Sequence, residues 1–113
     1  MTPARRDALL WLAQRWSAAV LALCLAVHLA VIIYAVRGGL TAAEILGRTR
    51  GNAPLAVFYG LFVVAVSIHA PLGLRAILSE WTLWRGRSQA WAMAALAVLL
   101  FGLGLRAVWA VVQ

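Results

Sequence analysis

Three apolar runs, each long enough to cross a bilayer, leave this chain few ways to fold. They cover about residues 8–36, 53–79 and 89–112 of 113. About 20 helical residues span a hydrocarbon core of ~30 Å, and every run exceeds that length. In lipid each backbone N–H and C=O must be satisfied within its own segment, so the runs are helices rather than strands. The expected fold class is therefore an all-α membrane protein. Its three transmembrane helices make a single anchor domain over residues 1–113. Composition agrees where it matters. Hydrophobic residues make up 65% of the chain and charged residues 12%. A soluble domain averages about 45–50% apolar and about 25% charged.

The connections are polar and rich in helix breakers. The first, Arg37–Asn52, contains Gly38, Gly39, Gly47 and Gly51, and Pro54 stands just inside the next run. Within it, Thr41-Ala-Ala-Glu44 fits a capping box and predicts a short interfacial helix. The second, Glu80–Ser88, is short and joins its helices as antiparallel neighbours. The first apolar run is too long for a signal-peptide core, no small-x-small cleavage site stands out, and the run reads as a retained helix. Cys24, the sole cysteine, lies within it and reads as a small buried apolar side chain.

The formal charge is +7, from ten arginines against Asp7, Glu44 and Glu80. On a soluble chain this balance would suggest nucleic acid. Here the arginines cluster between the apolar runs, where lipid headgroups and topology explain them, and no nucleic-acid partner is expected. With the N-terminus inside, the inner side holds Arg5, Arg6, Arg15, Arg75, Arg85 and Arg87, and the outer side Arg37, Arg48, Arg50 and Arg106. That bias predicts N-terminus in and C-terminus out, in an inner (cytoplasmic) membrane. Trp11, Trp16, Trp81, Trp84 and Trp91 then form an inner aromatic belt, with Tyr34 and Trp109 outside.

Both histidines lie inside apolar runs. An ionisable residue within the membrane is a functional-site hypothesis by default, and neutral imidazole is a common ligand of haem iron. The pair therefore suggests a b-type cytochrome, with His28 and His69 as axial ligands. His69 shares a face with Gly73, four residues on, where the missing side chain leaves room for a macrocycle or a close helix. Pro71 frees the carbonyl of Ser67 and predicts a kink beside the histidine. The plainer alternative is a structural histidine bonded to a neighbouring helix. His28 has no ionisable neighbour on its own stripe, so its partner is a metal or a group on another helix. Helix spacing puts the two histidines about 9 Å apart in depth, which leaves open whether one haem takes both.

A second polar group collects at the inner surface: Gln14, Arg15, Trp16 and Ser17 on the first helix, Arg75 and Glu80 on the second. Arginine, serine and tryptophan there suit a quinone head group. Singly, each also reads as a snorkelling, anchoring or boundary residue.

Taken in order, these residues resemble a family. Gln14-Arg15-Trp16-Ser17-Ala18 opens the first helix, His28 lies deep within it, and His69-Ala-Pro-Leu-Gly73-Leu-Arg75 closes the second, with Glu80 beyond. The chain is similar to the cytochrome b membrane anchor of succinate dehydrogenase and fumarate reductase. The resemblance runs from about Trp11 to Val112. Family members read H-R-x-S-G where this chain departs at Gln14 and Ala18 and matches at Arg15 and Ser17. They also read H-x-x-x-G-[IL]-R followed by an acid, which His69, Gly73, Leu74, Arg75 and Glu80 match, with Glu for the commoner Asp.

The resemblance implies haem b ligated by His69, and by His28 as in the di-haem branch, with Gly73 and Arg75 lining the cofactor. It implies quinone as substrate, near Arg15, Ser17, Trp16 and Glu80. It also implies flavoprotein and iron–sulfur subunits docked on the inner face, with no dicarboxylate chemistry in this chain. Di-haem anchors have five helices and four histidines; this chain has three and two, so a second anchor subunit or a second copy of itself is expected beside it, among membrane lipids. Two other classes stay open: a haem-free, quinone-binding anchor, and an unrelated small transporter or assembly protein with the histidines on a proton or substrate path.

Overall fold

The computed structural model describes residues 1–113 and is helical apart from short connections. Its elements are α1 (Pro3–Gly38), α2 (Ala42–Thr49), α3 (Ala53–Trp81) and α4 (Arg87–Val112). Three of the four, α1, α3 and α4, are long and apolar enough to cross a membrane, as the apolar runs require. α1 starts five residues before the apolar run does. The Thr2 hydroxyl accepts the Arg5 N–H at 3.3 Å and Pro3 occupies the first turn, so the polar stretch Arg5–Asp7 is helical too.

The capping box forms as expected. The Glu44 carboxylate accepts the Thr41 N–H at 2.9 Å and its hydroxyl at 2.8 Å, and the Glu44 N–H donates back to the Thr41 oxygen at 3.2 Å. α2 packs against α4. Arg48 ties it to the end of α1 by donating to the Gly39 carbonyl at 2.7 Å. Gly51, at φ +69° in the left-handed region, donates to the Val112 carbonyl at 2.8 Å, and the Asn52 side chain then caps α3.

α3 is the middle of the bundle and packs against both α1 and α4. Most apolar side chains face outward, and few are buried: Val63 and Ala65 on α3, Cys24 on α1. A lipid solvent explains this, since hydrocarbon gives apolar faces no reason to leave it. Association then rests on close packing and hydrogen bonds. The closest approach is Gly104 of α4 on Val63, where an added Cβ would lie 2.6 Å from Val63 Cγ1. Beside it, the Ser67 hydroxyl donates to the Val63 carbonyl at 2.7 Å. One turn on, Pro71 removes the N–H that would have bonded the Ser67 carbonyl. Gln89 closes the α3–α4 turn. Its amide nitrogen donates to Ser79 Oγ at 3.0 Å and to the Trp84 carbonyl at 2.7 Å, and at 2% exposure it is the largest fully buried side chain.

Gly104→Ala should therefore destabilise the bundle by about 1–3 kcal/mol, the usual cost of overpacking. Val63→Ala in the same chain should recover part of that loss, read as the midpoint of unfolding in detergent. A second expectation concerns pH. Bonds from the Thr41 backbone and hydroxyl hold the Glu44 carboxyl below its ordinary pKa, with a smaller aid from Arg48. A depressed carboxylate contributes stability above its unfolded pKa and loses it as pH falls through the folded one. Protection of the Thr41 and Glu44 amides, taken relative to the intrinsic exchange rate at each pH, should accordingly fall below the ordinary carboxylate range, and Glu44→Gln should remove that pH dependence.

Candidate functional site

Two polar rungs join α1 to α3. At the first, Ser17 Oγ lies 3.3 Å from His69 Nδ1, and the same hydroxyl donates to the Gln14 carbonyl at 3.1 Å. A serine hydroxyl has one proton to give. With it spent on Gln14, the contact to His69 is an Nδ1–H donating to Ser17. That assigns the tautomer and leaves Nε2 with a free lone pair and no hydrogen bond within the chain. A metal-ligating histidine is commonly held this way, one nitrogen anchored and the other open. Ser17 is 4% exposed, so the anchor is shielded from competing water.

The second rung is His28 Nδ1 to the Tyr59 hydroxyl, 3.1 Å, with Tyr59 and Phe62 each set edge-on to the imidazole at 5.7 and 5.9 Å between centroids. His28 thus finds its partner on another helix, one of the two options its sequence left open. The rungs also fix the register. Ser17 pairs with His69 and His28 with Tyr59, ten or eleven helical residues away, so the histidines differ in depth by about 15 Å. That exceeds the separation of about 9 Å expected from run lengths alone. At that separation His28 and His69 do not converge on a common point within one chain.

Around the first rung the chain gathers more polar groups than its motifs indicate. A Cβ at Gly73 would lie 3.2 Å from Gln14 Nε2, so the room beside this glycine is taken by the Gln14 amide. Gln14 Oε1 is buried without a hydrogen-bond partner. Gln14 also lines a cavity of about 320 Å³ with Asp7, Trp11, Leu72, Arg75 and Ser79, where α1 begins and α3 ends. Of the residues read as quinone contacts, Ser17 sits behind this cavity, bonded to His69. Arg15 is exposed and lies over the Trp11 ring at 5.4 Å, and it does not line the cavity. Trp16 and Glu80 are exposed and line no part of it. Ser79 and Tyr59 carry parts of these sites that sequence reasoning did not assign, and Gln14, grouped there with Arg15, Trp16 and Ser17, proves to pack against Gly73 as well. Tyr59 was within reach: once Ser17 faces His69 on an antiparallel helix, His28 must face residue 58 or 59.

No three His, Cys, Asp or Glu side chains converge, which leaves no nest for a bare metal ion. The architecture is thus that of a multi-pass helical membrane protein with an anchored imidazole buried between two spans. The family whose model matches residues 2–104 is the succinate dehydrogenase/fumarate reductase transmembrane subunit. The chain belongs to this family and so forms part of a multisubunit complex of that kind. Comparison with curated proteins and with solved structures returned no match.

Ser17→Ala should strand the His69 Nδ1–H in an apolar interface, at a cost of about 1–3 kcal/mol. Nitrogen-15 spectra of the full chain should then show the Nδ1–H tautomer giving way to a mixture, while Ser17→Thr keeps it. An unchanged His69 spectrum in Ser17→Ala would remove the tautomer assignment.

Proposed function

We propose that this chain is the cytochrome b anchor of its complex, carrying electrons between an iron–sulfur partner and membrane quinone. The observation that carries this reading is the Ser17–His69 pair, which presents one unprotonated imidazole nitrogen within the bilayer. The donor set fits haem b as a single axial ligand. His69 Nε2 would hold the iron, and Ser17 would fix the ring's orientation and tautomer. A further protein ligand would come from a second anchor subunit or a second copy of this chain, because His28 lies about three helical turns away in depth. Bound haem supplies one-electron redox chemistry, and the chain sets its potential through the axial ligand, burial and nearby charge.

The quinone head group fits the cavity that Gln14 and Arg75 line. Arg75 brings a fixed cation and N–H donors to a carbonyl oxygen, Gln14 contributes its amide, and Trp11 and Leu72 form the apolar wall. Arg15 lies behind Trp11, over its ring. The same end of the bundle bears Arg5, Arg6, Arg85 and Arg87 on α1 and beside α4, an exposed basic surface suited to acidic partners. There we place the iron–sulfur subunit, with the flavoprotein subunit beyond it, which makes this the cytoplasmic face of the inner membrane. Succinate or fumarate chemistry takes place in those partners.

One observation favours a second reading, a haem-free anchor that binds quinone alone: the Gln14 amide fills the space beside Gly73 that a macrocycle would otherwise use. The pyridine haemochrome spectrum of the assembled complex separates the two. The cytochrome reading expects b-type absorbance that His69→Ala abolishes and His28→Ala largely retains. Full absorbance in His69→Ala, or none in the unaltered complex, would overturn it.

A further inference from the structure

A second cavity lies at the other end of the bundle, under α2. It holds about 490 Å³, is bounded by all four helices and is lined mainly by hydrophobic side chains. His28, Phe62 and Gly104 mark its deep end; Ile45 and Arg48 of α2 mark its rim. The two ends ask for different chemistry. At the deep end His28 Nδ1 and the Tyr59 hydroxyl bond to each other at 3.1 Å, and the side chains around them, Val31, Phe62, Val63 and Val108, are apolar. Hydrocarbon suits that end. At the rim Arg48 is partly buried, donates to Gly39 and lies under the Tyr34 ring at 5.8 Å, and forms no ion pair. Its nearest acid, Glu44, has its carboxylate engaged by Thr41 in the capping box. Arg37, Arg50 and Arg106 stand at the same end, four arginines against one acid.

We propose that this cavity is a lipid site, holding one acyl chain of an anionic phospholipid whose phosphate rests against Arg48. The charge balance at the rim selects an anionic headgroup over a zwitterionic one. The mainly hydrophobic lining selects an alkyl chain over a molecule that must bury a polar head, such as a quinone. α2 serves as the clasp, since its cap and the Arg48–Gly39 bond hold the guanidinium in place whether or not lipid is bound. None of this depends on haem or quinone at the opposite end.

Native mass spectrometry of the full chain, offered phosphatidylglycerol and phosphatidylcholine with the same acyl chains, tests the site. The unaltered chain should retain one phosphatidylglycerol in preference by about fivefold, the value of one arginine contact with an anionic surface. Arg48→Gln should bring the two lipids to parity. Val108→Trp, which fills the cavity and leaves the rim charge alone, should lower retention of both. Circular dichroism checks that each variant keeps its helices. Equal retention by the unaltered chain would overturn the proposal. So would an unchanged preference in Arg48→Gln, unchanged retention in Val108→Trp, or retention of a quinone in place of the lipid.

Discussion

The register of α1 on α3 governs everything else in this chain, and it is set by two hydrogen bonds between side chains. In lipid, apolar faces have no preference for one another over the acyl chains around them. Sliding α1 along α3 by a turn would cost little in hydrophobic contact. It would part Ser17 from His69 and His28 from Tyr59 together, leaving four polar groups facing hydrocarbon. Each unsatisfied group there costs several kcal/mol. Two rungs about 15 Å apart therefore lock the helices more firmly than a continuous apolar seam would.

That lock sorts the chain's chemistry by depth. One level carries the serine-anchored imidazole beside Gln14, Gly73 and the Arg75 cavity. The other carries an imidazole bonded through one nitrogen to a tyrosine, beside a cavity that ends in an arginine. The two histidines look alike as isolated polar residues in apolar runs. Their neighbours differ: the Nδ1 of one meets a serine on α1, that of the other a tyrosine on α3.

Much of this was legible in the residues alone, for identifiable reasons. The three spans follow from run length, and α2 follows from Thr41 and Glu44 at capping-box spacing. His69 stood out through Gly73 and Arg75 at a spacing shared with a family. The misjudged depth had a simple cause. Run ends mark where polar residues begin, whereas register depends on which side chains meet across helices. Polar helix extends past the apolar run on α1, with Arg5, Arg6 and Asp7 inside it, so the middle of a run is a poor ruler. Gln14 belonged to the polar cluster, but its contact with Gly73 was hidden for a related reason. At a boundary, a glutamine facing water and one wedged against a glycine on the next helix have the same local sequence.

The buried Gln89 bears on how such a chain comes together. Five residues separate α3 from α4, and Gln89, Ser79 and Trp84 stitch that turn shut with side-chain and backbone bonds. Short loops cost little entropy to close, and Gly104 against Val63 then zips the pair along its length. α1 has no comparable staple. It is linked through the longer α2 segment and meets α3 at two separated points. The second half of the chain is thus a self-sufficient helical hairpin, and the first helix is the adjustable part, seated last and released first.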